Sequence, residues 1–202
     1  MKAVIVAVPG AGKTTILNYI KKRMPELKVV NYGDVMLELA REKFGIKDRD
    51  EMRKKIPLDE YKELQLDAAK KIAQIEGDVL IDTHVSIKMQ GGYYPGLPLE
   101  AARALNLDAI ILLEYNPADI IERRKKDMQG IRMGREMENE EEIELHQTIN
   151  RIFAASVANA VQCLLIIMNL RFKQSRDFEH TEIAVEKIIE FFTKQKILKN
   201  NI

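Results

Sequence analysis

The stretch "AVPGAGKTT", residues 7–15, constrains the fold of this chain more than any other. It follows the apolar run "AVIVAV" (3–8) and precedes a stripe of Ile16, Leu17, Ile20 and Met24 at helical spacing. A strand therefore hands the chain to an amphipathic helix through a turn of small residues. In that setting the pattern G-x-x-x-x-G-K-[ST] binds phosphate, because backbone N–H groups turn inward around the anion and the helix N-terminus adds its dipole. Val8, Pro9, Gly10, Ala11 and Gly12 make the expected cradle, with Thr15 at its margin. Lys13 is placed to reach the β and γ phosphates of a nucleoside triphosphate, and the Thr14 hydroxyl to ligate Mg²⁺. Ala7 stands where the pattern has its first glycine. A β-carbon there costs roughly 1–2 kcal/mol if the backbone is left-handed and little if φ is negative.

Four more short runs rich in β-branched or aliphatic residues follow: "KVVNY" (28–32), "DVLID" (78–82), "AIILLEY" (109–115) and "CLLIIMN" (163–169). Helical stripes separate them, such as Leu64, Ala68, Ile72 and Ile75, and a last amphipathic helix is expected from Thr181 to Lys196. Continuously apolar strands alternating with helices predict one α/β domain, a five-stranded parallel sheet with helices on both faces. Two regions break the alternation. Residues 33–77 hold two or three helical stretches where a crossover needs one, which predicts a small excursion. Residues 125–142, "KKDMQGIRMGREMENEEE", are polar and carry two glycines, which predicts a short lid or loop.

Charge narrows the partners: 32 basic against 31 acidic residues argue against duplex nucleic acid or an anionic membrane. Cys163 is the one cysteine, so an intrachain disulfide and a cysteine zinc cluster are excluded, and a reducing, cytoplasmic setting is expected. With His84, His146 and His180 the only histidines, structural roles are expected for all three rather than a transition-metal site. An N-K-x-D stretch that would read guanine is absent, which ranks a GTPase low.

The phosphate loop, "NYGDVMLE" after the second strand, "DRDEMRK" (48–54), "IDTH" (81–84), "GYYPGLP" (92–98) and "LHQTINR" (145–151) occur in the order found in the archaeal type of adenylate kinase, which the chain resembles over most of its length. The resemblance implies the nucleoside-monophosphate-kinase fold, with 33–77 as an AMP-binding excursion and 125–142 as the lid. It implies Mg-dependent phosphoryl transfer from ATP to AMP, giving two ADP, by an enzyme that in some members is a homotrimer. The small-residue stretch "AASVANAV" (154–161) is then an interface candidate, or it packs closely on the sheet.

The same resemblance assigns residues. Arg53, with Arg49 as the alternative, clamps the AMP phosphate. Asn31, Tyr32, Gly33 and Asp34 shape the AMP pocket, and Gly92, Tyr93, Tyr94, Pro95 and Gly96 form a loop against its base. Arg124, Arg132 and Arg135, with Arg123 close by, close over the transferring group, and Arg151 reaches phosphate. Asn169 lies near the ATP adenine. Asp82, which ends the third strand, holds the Mg²⁺ hydration shell. Each has a blander alternative: a solvated arginine, a tight turn, an N-cap, or a basic helix face paired with "ENEEEIE". Two other functions stay open at this stage. One is a kinase for a different monophosphate or small molecule, and the other is a noncatalytic nucleotide-binding regulator. The number of lid arginines favours an enzyme.

Overall fold

Ala3 to Val6 are fully buried, and alternate residues of the strand they form, β1 (Lys2–Val6), enter two separate cores. Val4 and Val6 point into one core, Ala3 and Ile5 into the other. A strand with apolar side chains on both faces must be covered on both, and that is what the topology supplies. In this computed structural model β2 (Lys28–Asn31), β3 (Val79–Asp82), β1, β6 (Ala109–Tyr115) and β7 (Leu164–Leu170) lie in that order in one parallel sheet. The structure describes residues 1–128 and 138–200, apart from the side chains of Asp50, Arg53, Asp127, Met128 and residues 196–200.

One face is covered by α1 (Lys13–Arg23) and α8 (Glu179–Asn200), through Ile16, Leu17 and Ile20 of the first and Val185, Ile188 and Phe192 of the second. The other face carries α4 (Leu58–Ala73), α5 (Leu99–Leu105) and α7 (Glu140–Val161). β1 is flanked by β3 on one side and β6 on the other, so the turn after β1 opens at the carboxyl edge of the sheet where the connections diverge. That crevice is where open α/β sheets bind ligands.

The five parallel strands are those read from the sequence, shifted by a residue or two. Ala7 and Val8 belong to the loop rather than to β1, and Tyr32 starts a helix rather than ending a strand. The excursion between β2 and β3 holds three helices: α2 (Tyr32–Phe44), α3 (Arg49–Lys55) and α4. Asn31 caps α2 by accepting from the Asp34 N–H, and Asp48 caps α3 through the Glu51 N–H. α6 (Pro117–Met128) runs on into the stretch read as a lid, and α7 begins at Glu140 behind an Asn139–Glu142 capping box. Arg132 and Arg135 lie outside the described residues.

One expectation needs correction. "GYYPGLP", read as a loop from its glycines and prolines, contains β5 (Gly92–Pro95), which pairs antiparallel with β4 (Ser86–Met89). Gln90 and Gly91 make the two-residue turn, with Gly91 at φ 86°. The hairpin is wedged between α4 and α7: Gln65 donates to the Pro95 carbonyl at 3.3 Å, and Ser86 donates to Asn150 Oδ1 at 2.6 Å. Gly96 lets the chain leave it, since a β-carbon there would stand 2.3 Å from the His84 carbonyl oxygen. Of the small-residue stretch in α7, Ala154 and Ala158 pack into the core against the sheet, while Ala155, Ser156 and Asn159 stay exposed.

His146 of α7 is buried beneath the hairpin, its ring 5.0 Å from that of Tyr93. Burial holds its pKa below the ordinary 6.5. Because the unfolded chain then binds the proton more readily, the stability that neutral His146 contributes is complete above about pH 6.5 and is lost as the pH falls through the lowered folded value. His146→Gln is expected to flatten the fall in unfolding free energy between about pH 6.5 and pH 5, as followed by urea titration. His180, also lowered by burial, retains part of the slope.

Candidate active site

Gly10 (φ 81°) and Gly12 (φ 96°) are both left-handed, and they bend the chain between β1 and α1 into a tight loop. Gly12 is the N-cap of α1 and offers no side chain to cap its first turn. Ala7 has no positive φ and is buried, with its methyl in the core shared with α1. The missing first glycine therefore costs this loop nothing in backbone strain.

Two arginines of α6 hold the loop from outside. Arg124 donates from Nε and Nη2 to the Pro9 carbonyl at 3.0 and 2.7 Å, and Arg123 donates to the Ala11 carbonyl at 2.7 Å. A β-carbon on Gly10 would meet Arg124 Cγ at 2.7 Å, so the glycine also admits this close approach. The third Arg124 nitrogen pairs with Glu138 at 2.6 Å, and Glu138 also accepts from Lys88 of β4 at 2.8 Å. Burial alone would raise the Glu138 carboxyl, but Lys88 and Arg124 outweigh it and hold it below the ordinary carboxylate value. Arg123 additionally lies over the Tyr115 ring at 4.4 Å and contacts His180 Nδ1 at 2.8 Å.

Lys13 begins α1 and points inward. Its ammonium pairs with Asp82 at 2.7 Å and donates to the Thr83 carbonyl, so the end of β3 receives the cation. Burial lowers its pKa, against the opposing pull of Asp82. The Thr14 side chain beside it is exposed. Asp82 is held on its other oxygen by Asn31 Nδ2 at 2.8 Å. Asn31 Oδ1 in turn accepts from Arg49 at 2.6 Å, and Arg49 pairs with Asp34 at 2.7 Å. A polar chain thus runs from the phosphate loop to the excursion: Lys13, Asp82, Asn31, Arg49, Asp34.

The Arg49 side chain reaches the start of α2, at Asn31 and Asp34; the Arg53 side chain lies outside the described residues. Gly33 admits it, since a β-carbon there would lie 2.9 Å from Arg49 Cζ. Tyr32 turns away into the core, where its hydroxyl donates to the Gln65 carbonyl, so only its backbone borders this crevice. Gly92, Tyr93 and Pro95 belong to the hairpin, with Tyr93 against His146 and the Pro95 carbonyl on Gln65, and Gly96 follows it. Arg151 is not brought to the loop: its fork grips the buried Glu114 of β6, with Nε at 2.8 Å, and ties α7 to the sheet. Gln147, four residues earlier, does the same by exchanging hydrogen bonds with the Tyr115 backbone at 2.9 and 3.0 Å. Asn169 accepts from the Arg171 N–H at 3.0 Å and shapes the turn after β7. Glu138 and the Thr83 carbonyl were missed by the sequence reading. Glu138 carried one signal, as the first residue of the acidic run that was weighed as a partner for the basic helix.

A family model described as an AAA domain matches residues 6–144, which include the loop, α6 and the strands from β2 to β6. An adenylate kinase of Pyrobaculum aerophilum is 56% identical over 199 residues, which cover 97% of this chain and 100% of that one. One from Pyrococcus horikoshii is 36% identical over 95% of this chain and 96% of its own, and one from Thermoplasma acidophilum is 42% identical over 77% and 82%. Among solved structures, a shikimate kinase from Bacteroides thetaiotaomicron superposes with a TM-score of 0.59 at 16% identity, over 96% of this chain and 98% of that one. At that identity the likeness speaks for the fold alone.

Proposed function

The chain belongs to the adenylate kinase family, and from that premise we propose how its residues divide the work of moving a phosphoryl group from ATP to AMP. The reaction is reversible and yields two ADP. An oxygen of the AMP phosphate forms the new bond to the γ-phosphorus as the bond to the β-phosphate oxygen breaks, so both charged groups must be held in line and neutralised. Little covalent work falls to the protein. Positioning and electrostatics carry the rate.

The observation that carries the reading is that Arg123 and Arg124 bond the loop from which Lys13 reaches Asp82, and that Asn31 links Asp82 to Arg49 of the excursion. The cradle from Val8 to Thr15 takes the ATP phosphates. Lys13 exchanges its bond to the Thr83 carbonyl for phosphate oxygens, with Asp82 beside it. Arg124 follows the migrating charge from the loop side, and Arg132 and Arg135 close from the lid. Arg49, with Arg53 in support, clamps the acceptor phosphate, and Tyr93, Pro95 and Gly96 of the hairpin border its base. The exposed Thr14 side chain and the Asp82 carboxylate suit Mg²⁺, which takes one or two protein oxygens together with substrate phosphates. When bound, the ion spreads the negative charge of the β and γ phosphates. A cytoplasmic setting accords with the absence, among the described residues, of any helix long and apolar enough to cross a membrane.

With ATP labelled at its γ-phosphate, the label should appear in the β-phosphate of the ADP made from AMP, ahead of any label in inorganic phosphate. Label arriving first in inorganic phosphate would mean that water is the acceptor. The Arg49 assignment has its own test in Gly33→Ala. The added methyl pushes the guanidinium aside, so KM for AMP should rise by roughly tenfold, the worth of one hydrogen bond to a charged group, with kcat and melting temperature little changed. An unchanged KM would remove Arg49 from the acceptor site.

A further inference from the structure

Asn31, the last residue of β2, spends its side chain on three separate segments. Its Oδ1 accepts from the Asp34 N–H at 3.1 Å and from Arg49 at 2.6 Å, while its Nδ2 donates to Asp82 Oδ2 at 2.8 Å. Two donors face the oxygen and a carboxylate faces the nitrogen, so the orientation of the amide is fixed by its surroundings. The other Asp82 oxygen pairs with Lys13 at 2.7 Å. An amide pulled by a cation on its oxygen is a stronger donor from its nitrogen, so the state of Arg49 is transmitted to Asp82.

We propose that Asn31 is a positioning residue that couples the two substrate sites, holding Asp82 toward itself while Arg49 is parked and releasing that carboxylate toward Lys13 and Mg·ATP when an acceptor phosphate takes Arg49. The inference rests on the assignment of Arg49 to the acceptor phosphate. Binding of AMP then strengthens binding of Mg·ATP, and by linkage the reverse holds by the same factor. A carboxylate, a shorter hydroxyl or an aliphatic side chain at this position breaks the chain of bonds in different places, which makes the role separable from the capping of α2.

Titration calorimetry with Mg²⁺ and a nonhydrolysable β,γ-imido analogue of ATP, with and without AMP, tests this in the full chain. In the wild type AMP should tighten analogue binding by about fivefold. Asn31→Ser keeps a cap for α2 but is too short to bridge Arg49 and Asp82, so the factor should fall to within about twofold of unity. Asn31→Asp keeps the cap and the Arg49 acceptor but sets a second carboxylate against Asp82. It should weaken binding of the Mg·ATP analogue alone by about tenfold and, because the charged side chain also holds Arg49 more tightly, weaken binding of AMP alone as well. Wild-type coupling in Asn31→Ser, undiminished binding of AMP in Asn31→Asp, or a lowered melting temperature with unchanged binding would each overturn the proposal. The premise fails separately if AMP does not bind the wild type at all. If AMP binds and is phosphorylated but the coupling ignores position 31, only the role of Asn31 falls.

Discussion

Lys13→Ala should lower kcat/KM for transfer from ATP to AMP by roughly a thousandfold while the protein stays folded. The ammonium is buried at the loop, 2.7 Å from Asp82, with burial working against its charge. Its cost in the free enzyme is justified only by what it does for developing negative charge on the phosphates, where a preorganised cation in a water-poor site acts far more strongly than in solvent. Removing it takes away a buried charge as well as a partner of Asp82, which keeps its bond from Asn31. Asp82 is nonetheless left without its cation, so stability should fall by about 3 kcal/mol, which a protein of ordinary stability survives folded. Calorimetric melting beside steady-state kinetics separates the two effects. Loss of rate in step with loss of folded protein would make Lys13 a structural residue.

Arg124→Ala should be the second most damaging change, with kcat lowered by roughly a hundredfold. Its side chain is pinned at both ends, by the Pro9 carbonyl and by Glu138, so the guanidinium is presented to the loop in a fixed plane. Lysine at this position can supply the charge but cannot reproduce the fork, so Arg124→Lys should recover only a small part of the loss. The signature of a role in the transition state is a fall in kcat with KM for ATP nearly constant. A rise in KM alone would place Arg124 in ground-state binding instead. Removing Arg123, which also leans on Tyr115 and His180, should cost less because part of its fork serves packing.

The sheet was legible because its strands are apolar on both faces: Val4 and Ile5, or Ile110 and Ile111, carry the signal of a doubly covered parallel strand without help from context. The loop was legible for a different reason, since Gly10, Gly12, Lys13 and Thr14 have fixed spacing between a strand and a helix. The hairpin was hidden because its two glycines, Gly91 and Gly92, resemble ordinary loop punctuation, and its strands are stabilised by α4 and α7, far away in sequence. Likewise, "LHQTINR" was singled out by its resemblance to the archaeal adenylate kinases, and its polar side chains say nothing of the elements they meet. Folding turns it into a set of ties, with Gln147 on the Tyr115 backbone, Asn150 on Ser86 and Arg151 on Glu114. That Arg49 reaches Asn31 and Asp34 depends on how α3 docks against the start of α2, and no local pattern encodes that.

The central claim is that this crevice passes phosphate from ATP to AMP, and an acceptor series tests it most directly. Purified protein is given Mg·ATP with AMP, CMP, UMP or GMP in turn, and ADP formation is followed with Lys13→Ala as the control for contaminating kinase. AMP should support by far the fastest turnover, and Lys13→Ala should abolish it. Faster transfer to another monophosphate, or ATP binding with transfer to none of the four, would contradict the account.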